Sequence, residues 1–177
     1  AGQSVVVKIT GFVRFGAVTE GDFALAVNAG DCAPITNVDW LTRAGNYTIL
    51  LDLMNRFGLL EGQEAEDAGT LLAPSDSAFA AVEADEPGAI AELAADGDLM
   101  FATLQYHQLV ARLLVQDLAM AGRIATVEGA FIEVTRRDGD AYINGVRVDV
   151  PEVATDNGVI HGLTDLIDLP SGCMADG

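Results

Sequence analysis

Hydrophobic spacing along this chain moves from alternation to a helical period and back to alternation. Val5, Val7 and Ile9 alternate with Val6, Lys8 and Thr10, and a second short run follows Gly11, so residues 4–17 read as strands. Residues 21–42 keep no regular period, and Gly30, Asp31, Cys32 and Pro34 mark a loop. Tyr47, Leu50, Leu51, Met54 and Phe57 then share a helical face, with Asn46 as the expected cap and Gly58 as the stop. The stretch EGQEAEDAG over 61–69 reads as an acidic linker. Thr70 to Ala73 is a short apolar strand, and Pro74, Ser75 and Asp76 open a helical turn carrying Phe79 and Val82. Pro87 suits a first helical position ahead of Ile90 and Leu93, and Asp98 is expected to cap a helix that puts Phe101, Leu104 and His107 on one side.

The second half returns to alternation. Strands are predicted at 109–115, 124–127, 131–135, 141–143, 146–150 and 159–167, with a helical turn at 116–122. Asp138-Gly139 and Asn144-Gly145 supply tight turns, because these residues tolerate positive φ. Helices first and a meander afterwards predict an α+β fold, not a parallel α/β sheet.

Three segments together resemble the fasciclin domain family. The first is Thr70-Leu71-Leu72-Ala73-Pro74-Ser75-Asp76-Ser77-Ala78-Phe79, the second is Tyr106-His107, and the third is Ile143-Asn144-Gly145 followed by Asp156-Asn157-Gly158-Val159-Ile160-His161 and Leu169-Pro170. The resemblance spans about residues 40–170. It implies a wedge-shaped β-sandwich of crossed sheets with several helices packed alongside. Residues 1–39 fall outside it and read as an extra β arm or an altered domain start, and 171–177 as a tail. After Tyr106-His107, where family members often continue with a Pro-Gly turn, this chain reads Gln108-Leu109-Val110-Ala111-Arg112. Pro74, Ser75, Asp76, Phe79, Asn157, Gly158 and His161 carry a structural reading: backbone direction, helix caps, a core anchor and a turn into a buried strand.

Charge changes the picture most. The 177 residues include 27 acidic and nine basic ones, for a formal charge of −18, and Lys8 is the single lysine. Such a surface repels phosphate backbones and anionic headgroups, which excludes nucleic acid and anionic membrane as partners. It also resembles the surface of salt-adapted proteins. The start at Ala1-Gly2-Gln3 reads as a mature end after signal cleavage, hence a secreted or cell-surface protein, although a trimmed chain would begin the same way. Cys32 and Cys173 have no companion at metal-ligand spacing, so a disulfide between arm and tail is expected, with two free thiols as the alternative.

Catalytic signatures are missing: no G-x-S-x-G, H-E-x-x-H, phosphate loop or G-x-G-x-x-G occurs. His107 and His161 have no third ligand in view and read as core hydrogen-bonding residues, so no cofactor and no metal is expected. Asp96-Gly97-Asp98 and Asp138-Gly139-Asp140 read as caps and turns, since neither opens a twelve-residue calcium loop. Asn46-Tyr47-Thr48 fits a glycosylation sequon as well as a cap. The family resemblance adds a surface candidate. In animal fasciclin domains that bind integrins a Pro-Asp-Ile stretch precedes the Asn-Gly segment, and the matching positions here are Pro151, Glu152 and Val153. With Tyr106 and His107 these form the expected adhesion site, and the expected function is a non-enzymatic adhesion or protein-binding module. The alternative is an extracellular carrier of an apolar small molecule such as a carotenoid or lipid, with Met54, Phe57, Met100 and Phe101 around a pocket between helix and sheet.

Self-repulsion among so many carboxylates is screened by salt. Raising salt from low millimolar to molar is therefore expected to raise the melting temperature, and an unchanged value across that range contradicts salt adaptation.

Overall fold

The computed structural model describes residues 34–170. The strands expected over 4–17 and the cysteine pair Cys32 and Cys173 lie outside the described residues.

Two neighbouring strands, β1 (Gly69–Pro74) and β7 (Gly158–Leu163), are buried along their whole length. They pair in parallel, with Leu71 opposite Ile160 and Leu72 opposite His161. A parallel pair covered on both faces needs apolar residues at successive positions, which is why Thr-Leu-Leu-Ala shows no alternation. Leu71, Ala73 and Ile160 enter a core shared with the helices, whereas Leu72 and Leu163 enter a second core shared with the other strands.

Those other strands are β2 (Gln108–Leu109), β3 (Arg123–Ala125), β4 (Phe131–Arg137), β5 (Asp140–Ile143) and β6 (Val146–Ala154). The sheet runs β2-β1-β7-β6-β5-β4-β3. Strands β4 and β5 alternate, burying Ile132, Val134, Ala141 and Ile143 in the second core. Asp138 (φ 54°) and Asn144 (φ 50°), each followed by a positive-φ glycine, make the two hairpin turns. Register shifts between Val148 and Val150, and again between Val150 and Val153, bend β6. The Val127 amide donates to the Gln108 carbonyl at 2.8 Å, drawing the two ends of the sheet together. The chain thus forms the expected α+β architecture, with β layers closing on one core and helices covering the other.

The helices are α1 (Asn37–Ala44), α2 (Thr48–Arg56), α3 (Leu60–Glu64), α4 (Asp76–Asp85), α5 (Ala89–Ala95), α6 (Gly97–Tyr106) and α7 (Val115–Ala121). Several depart from the sequence reading. Residues 37–44, most of them within the stretch expected to be irregular, are helical, and Thr36 and Asp39 form a reciprocal capping box at their start. Asn46 does not cap α2. The Asp76 carboxylate does so from across the fold, accepting from Thr48 Oγ1 at 2.8 Å and Ile49 N–H at 2.9 Å. The acidic linker contains α3, with Gln63 buried. Pro87 stands ahead of α5, whose N-cap is Gly88, and Asp96 rather than Asp98 caps α6. Phe101 points outward, while Met100, Thr103 and Leu104 face in. The expected strand at 109–115 stops at Leu109.

A buried carboxamide joins the layers. Asn157 Oδ1 accepts from the Asn37 amide at 2.8 Å, and its Nδ2 donates to the carbonyls of Gln63 and Ala65, both at 2.8 Å. Asn37 in turn donates to Gln63 at 2.8 Å and accepts from Thr155 Oγ1 at 2.6 Å. The next residue must be glycine, because a Cβ at 158 would lie 2.6 Å from Asn37 Nδ2 and 2.8 Å from the Gly69 carbonyl oxygen. Removing the carboxamide strands buried donors and acceptors, each worth about 1–3 kcal/mol. Asn157→Ala is therefore expected to lower unfolding free energy by about 3 kcal/mol in urea denaturation, and a loss below about 0.5 kcal/mol contradicts the joining role.

Candidate functional site

The bend in β6 puts Pro151 where the ladder is interrupted, so its missing N–H costs no strand bond. Its carbonyl faces His161 Nδ1. The other ring nitrogen, Nε2, lies 2.8 Å from the Leu113 carbonyl oxygen, and the ring is fully buried. A neutral imidazole has one N–H and donates to one of these two carbonyls, while the imidazolium donates to both. Either way His161 spans the β6 bend and the loop that precedes α7.

Glu152 reaches the same loop from outside. Its Oε2 accepts from the Val115 amide, the first of α7, at 3.1 Å, while the residue stays exposed. A carboxylate is favoured at such an amide terminus. Val153 opposite Ile160 is half-buried against the helix-side core. Thr70 fixes the loop from below: its hydroxyl donates to the Ala111 carbonyl at 2.7 Å and accepts from Leu113 N–H at 2.8 Å. Arg112 fastens the outer side, pairing with Asp67 at 3.1 Å and donating to the carbonyls of Glu66 and Asp156. The result is an exposed strip of Glu152, Arg112 and Val110, the last 76% exposed.

Tyr106 and His107 lie beneath the surface, 0% and 2% exposed, and cannot touch a partner directly. The Tyr106 hydroxyl donates to the Phe131 carbonyl at 2.9 Å and accepts from Asn144 Nδ2 at 2.7 Å. His107 Nδ1 faces the Thr103 carbonyl at 2.8 Å, and Nε2 accepts from the Ile167 amide at 3.1 Å. That pair of partners requires the neutral Nδ1–H tautomer. Burial pushes the His107 pKa below its ordinary 6.5, against the opposing pull of the Thr103 carbonyl and Asp168. Ser75 caps α4, Asp76 caps α2 and Phe79 is buried beside Leu53 in the helix-side core.

Of the residues expected at an adhesion site, Glu152 is exposed whereas Tyr106 and His107 are buried, and the loop beside Glu152 is held by Thr70, Leu113 and Val115, which were not among them. The last two act through backbone groups, which carry no side-chain signature. Among the described residues no group of three His, Cys, Asp or Glu is placed to hold a metal ion. Asp96 serves as a cap, and Asp140 pairs with Arg147 at 2.9 Å.

Comparisons with known proteins meet this geometry. A family model described as Fasciclin domain matches residues 45–170. The chain is 26% identical over 121 residues to the uncharacterized protein sll1735 of Synechocystis sp., covering 68% of this chain and 88% of that one. It is 29% identical over 126 residues to protein sll1483 of the same organism, covering 70% and 69%. It is 23% identical over 158 residues to the transforming growth factor-beta-induced protein ig-h3 of Oryctolagus cuniculus, covering 89% of this chain but 22% of that protein. Among solved structures, a FAS1 domain pair from the insect cell adhesion molecule Fasciclin I superposes with a TM-score of 0.54 at 18% identity, covering 73% of this chain and 47% of that one.

The His107 environment sets a pH dependence. Well above 6.5 the ring is neutral in both the folded and the unfolded chain. As pH falls through that value the unfolded chain gains a proton that the folded ring resists, so stability drops. The stability advantage of the wild type over His107→Asn is expected to shrink between about pH 7.5 and about pH 5.5 in urea titrations. A constant difference contradicts a buried neutral ring.

Proposed function

Because this chain belongs to the fasciclin family, we propose that it is a non-catalytic binding module acting in adhesion outside the cell. The observation that carries this reading is Glu152: an exposed carboxylate with one oxygen fixed by the Val115 amide and no described partner on the other. A carboxylate so positioned suits an Arg side chain, or a cation held by a cell-surface or matrix protein. The named likeness to an insect cell adhesion molecule supports the same reading. This chain spans 47% of that structure's chain and 22% of ig-h3. Single contacts of this kind are weak and gain strength by repetition. His161 serves this surface from beneath, through Pro151 and Leu113, whereas Tyr106 and His107 hold Phe131, Asn144 and Ile167.

A second reading, capture of an apolar small molecule, is supported by a groove of about 370 Å³ between α2, α4 and α5. It lies among helices, not between helix and sheet, and its walls do not include Met54, Phe57, Met100 or Phe101. Met54 and Met100 are buried core residues, and Phe57 packs against that core.

Displayed in many copies on beads, the wild type is expected to bind cells or extracellular matrix at least about tenfold better than Glu152→Ala. Equal binding by two folded proteins means that this edge is not the contact.

A further inference from the structure

The groove on the helical side has a charge asymmetry that narrows what it can hold. Its walls are Ile49 and Leu53 from α2, Phe79 from α4 and Ile90 from α5, with alanines of α4 and α5 leaving it open. Helix α5 buries none of its residues fully, so the space between it and α2 is not closed by packing.

Two charged side chains border this space, and they differ in availability. Glu83 is turned onto the backbone: Oε2 accepts from Gly88 N–H and Oε1 from Ile90 N–H, each at 2.9 Å. Those two amides hold its carboxyl below the usual carboxylate range. Arg56 is exposed at the rim, with its guanidinium 5.6 Å from the centre of the Phe57 ring. Among the described residues the ion pairs join Arg112 to Asp67 and Arg147 to Asp140, and Arg56 belongs to neither. An exposed guanidinium beside an apolar wall recognises a ligand with an anionic head and an apolar body.

We propose that this groove binds a long-chain aliphatic carboxylate, with the carboxylate on Arg56 and the chain against Ile49, Leu53, Phe79 and Ile90. The inference rests on the carrier reading and deepens it by naming the ligand class. A neutral hydrocarbon or alcohol would leave the Arg56 fork unused, so the acid is preferred over its alcohol. The formal charge of −18 opposes any anion at long range, but at physiological salt that repulsion is screened beyond about 8 Å.

The test is methyl NMR of the full chain with dodecanoate and, separately, dodecanol as the neutral comparator. Dodecanoate is expected to shift the Ile49 and Ile90 methyl signals saturably and to bind at least about tenfold tighter than dodecanol. Arg56→Gln should bring dodecanoate down to the affinity of the alcohol. Ala91→Phe, which fills the groove from an exposed position, should abolish binding of both without lowering the melting temperature. Equal affinity for acid and alcohol, or dodecanoate binding unchanged in Arg56→Gln, overturns the carboxylate assignment while keeping the carrier reading. Failure of both probes to shift the groove methyls overturns both.

Discussion

The Asn157 carboxamide is the interaction on which the rest of this domain depends. Its two polar atoms answer groups on α1 and at α3, and the backbone carbonyl of Asn157 accepts from Ala68 N–H at 2.8 Å, just ahead of β1. Gly158 follows without a Cβ, so β7 starts in close contact with Asn37 and Gly69. Once β7 is pinned at this end, its pleat decides everything beyond. Ile160 faces the helices, and Gly162 admits the Tyr47 hydroxyl, which would lie 2.7 Å from a Cβ there. His161 falls on the opposite face, where Pro151 and Leu113 present carbonyls. A one-residue slip would exchange these faces and bury the imidazole among helices.

From that register the proposed contact surface follows. His161 draws the β6 bend against the loop before α7, and Glu152 closes the same junction from the solvent side. Both histidines are thus occupied by backbone groups, as structural residues are and as a general base poised for substrate is not. The strongly acidic exterior, with a formal charge of −18, opposes phosphate backbones and anionic membrane surfaces at long range and complements positive or cation-bearing partners.

Much of the fold was legible because its signals are local. Asp138-Gly139 and Asn144-Gly145 announce turns through a conformation few residues accept, and Phe131 to Ile143 alternates as a half-buried hairpin must. Strand β1 announced itself as a short apolar run. What stayed hidden depends on distant partners. Asp76 caps a helix that begins 28 residues earlier, a relation no spacing rule contains. Gln63 looked like part of an acidic linker, although it is the one long uncharged polar side chain in that run and makes buried bonds to Asn37 and Gln108. Helix α1 is only eight residues long, and its signal was the Thr36–Asp39 box. Tyr106 and His107 were recognisable, but which face of α6 they take is set by β4 and the segment at Ile167.

The β6 bend and the loop before α7 form one surface unit clamped by His161. Native-state hydrogen exchange of the wild type against His161→Phe tests it most directly, because phenylalanine keeps the ring and removes both nitrogen contacts. Opening free energies around residues 150–153 and 111–115 are expected to fall together, by about 1–3 kcal/mol, while β1 keeps its protection. Loosening of one segment alone, or of neither, would show that the two are held independently and that the clamp does not exist.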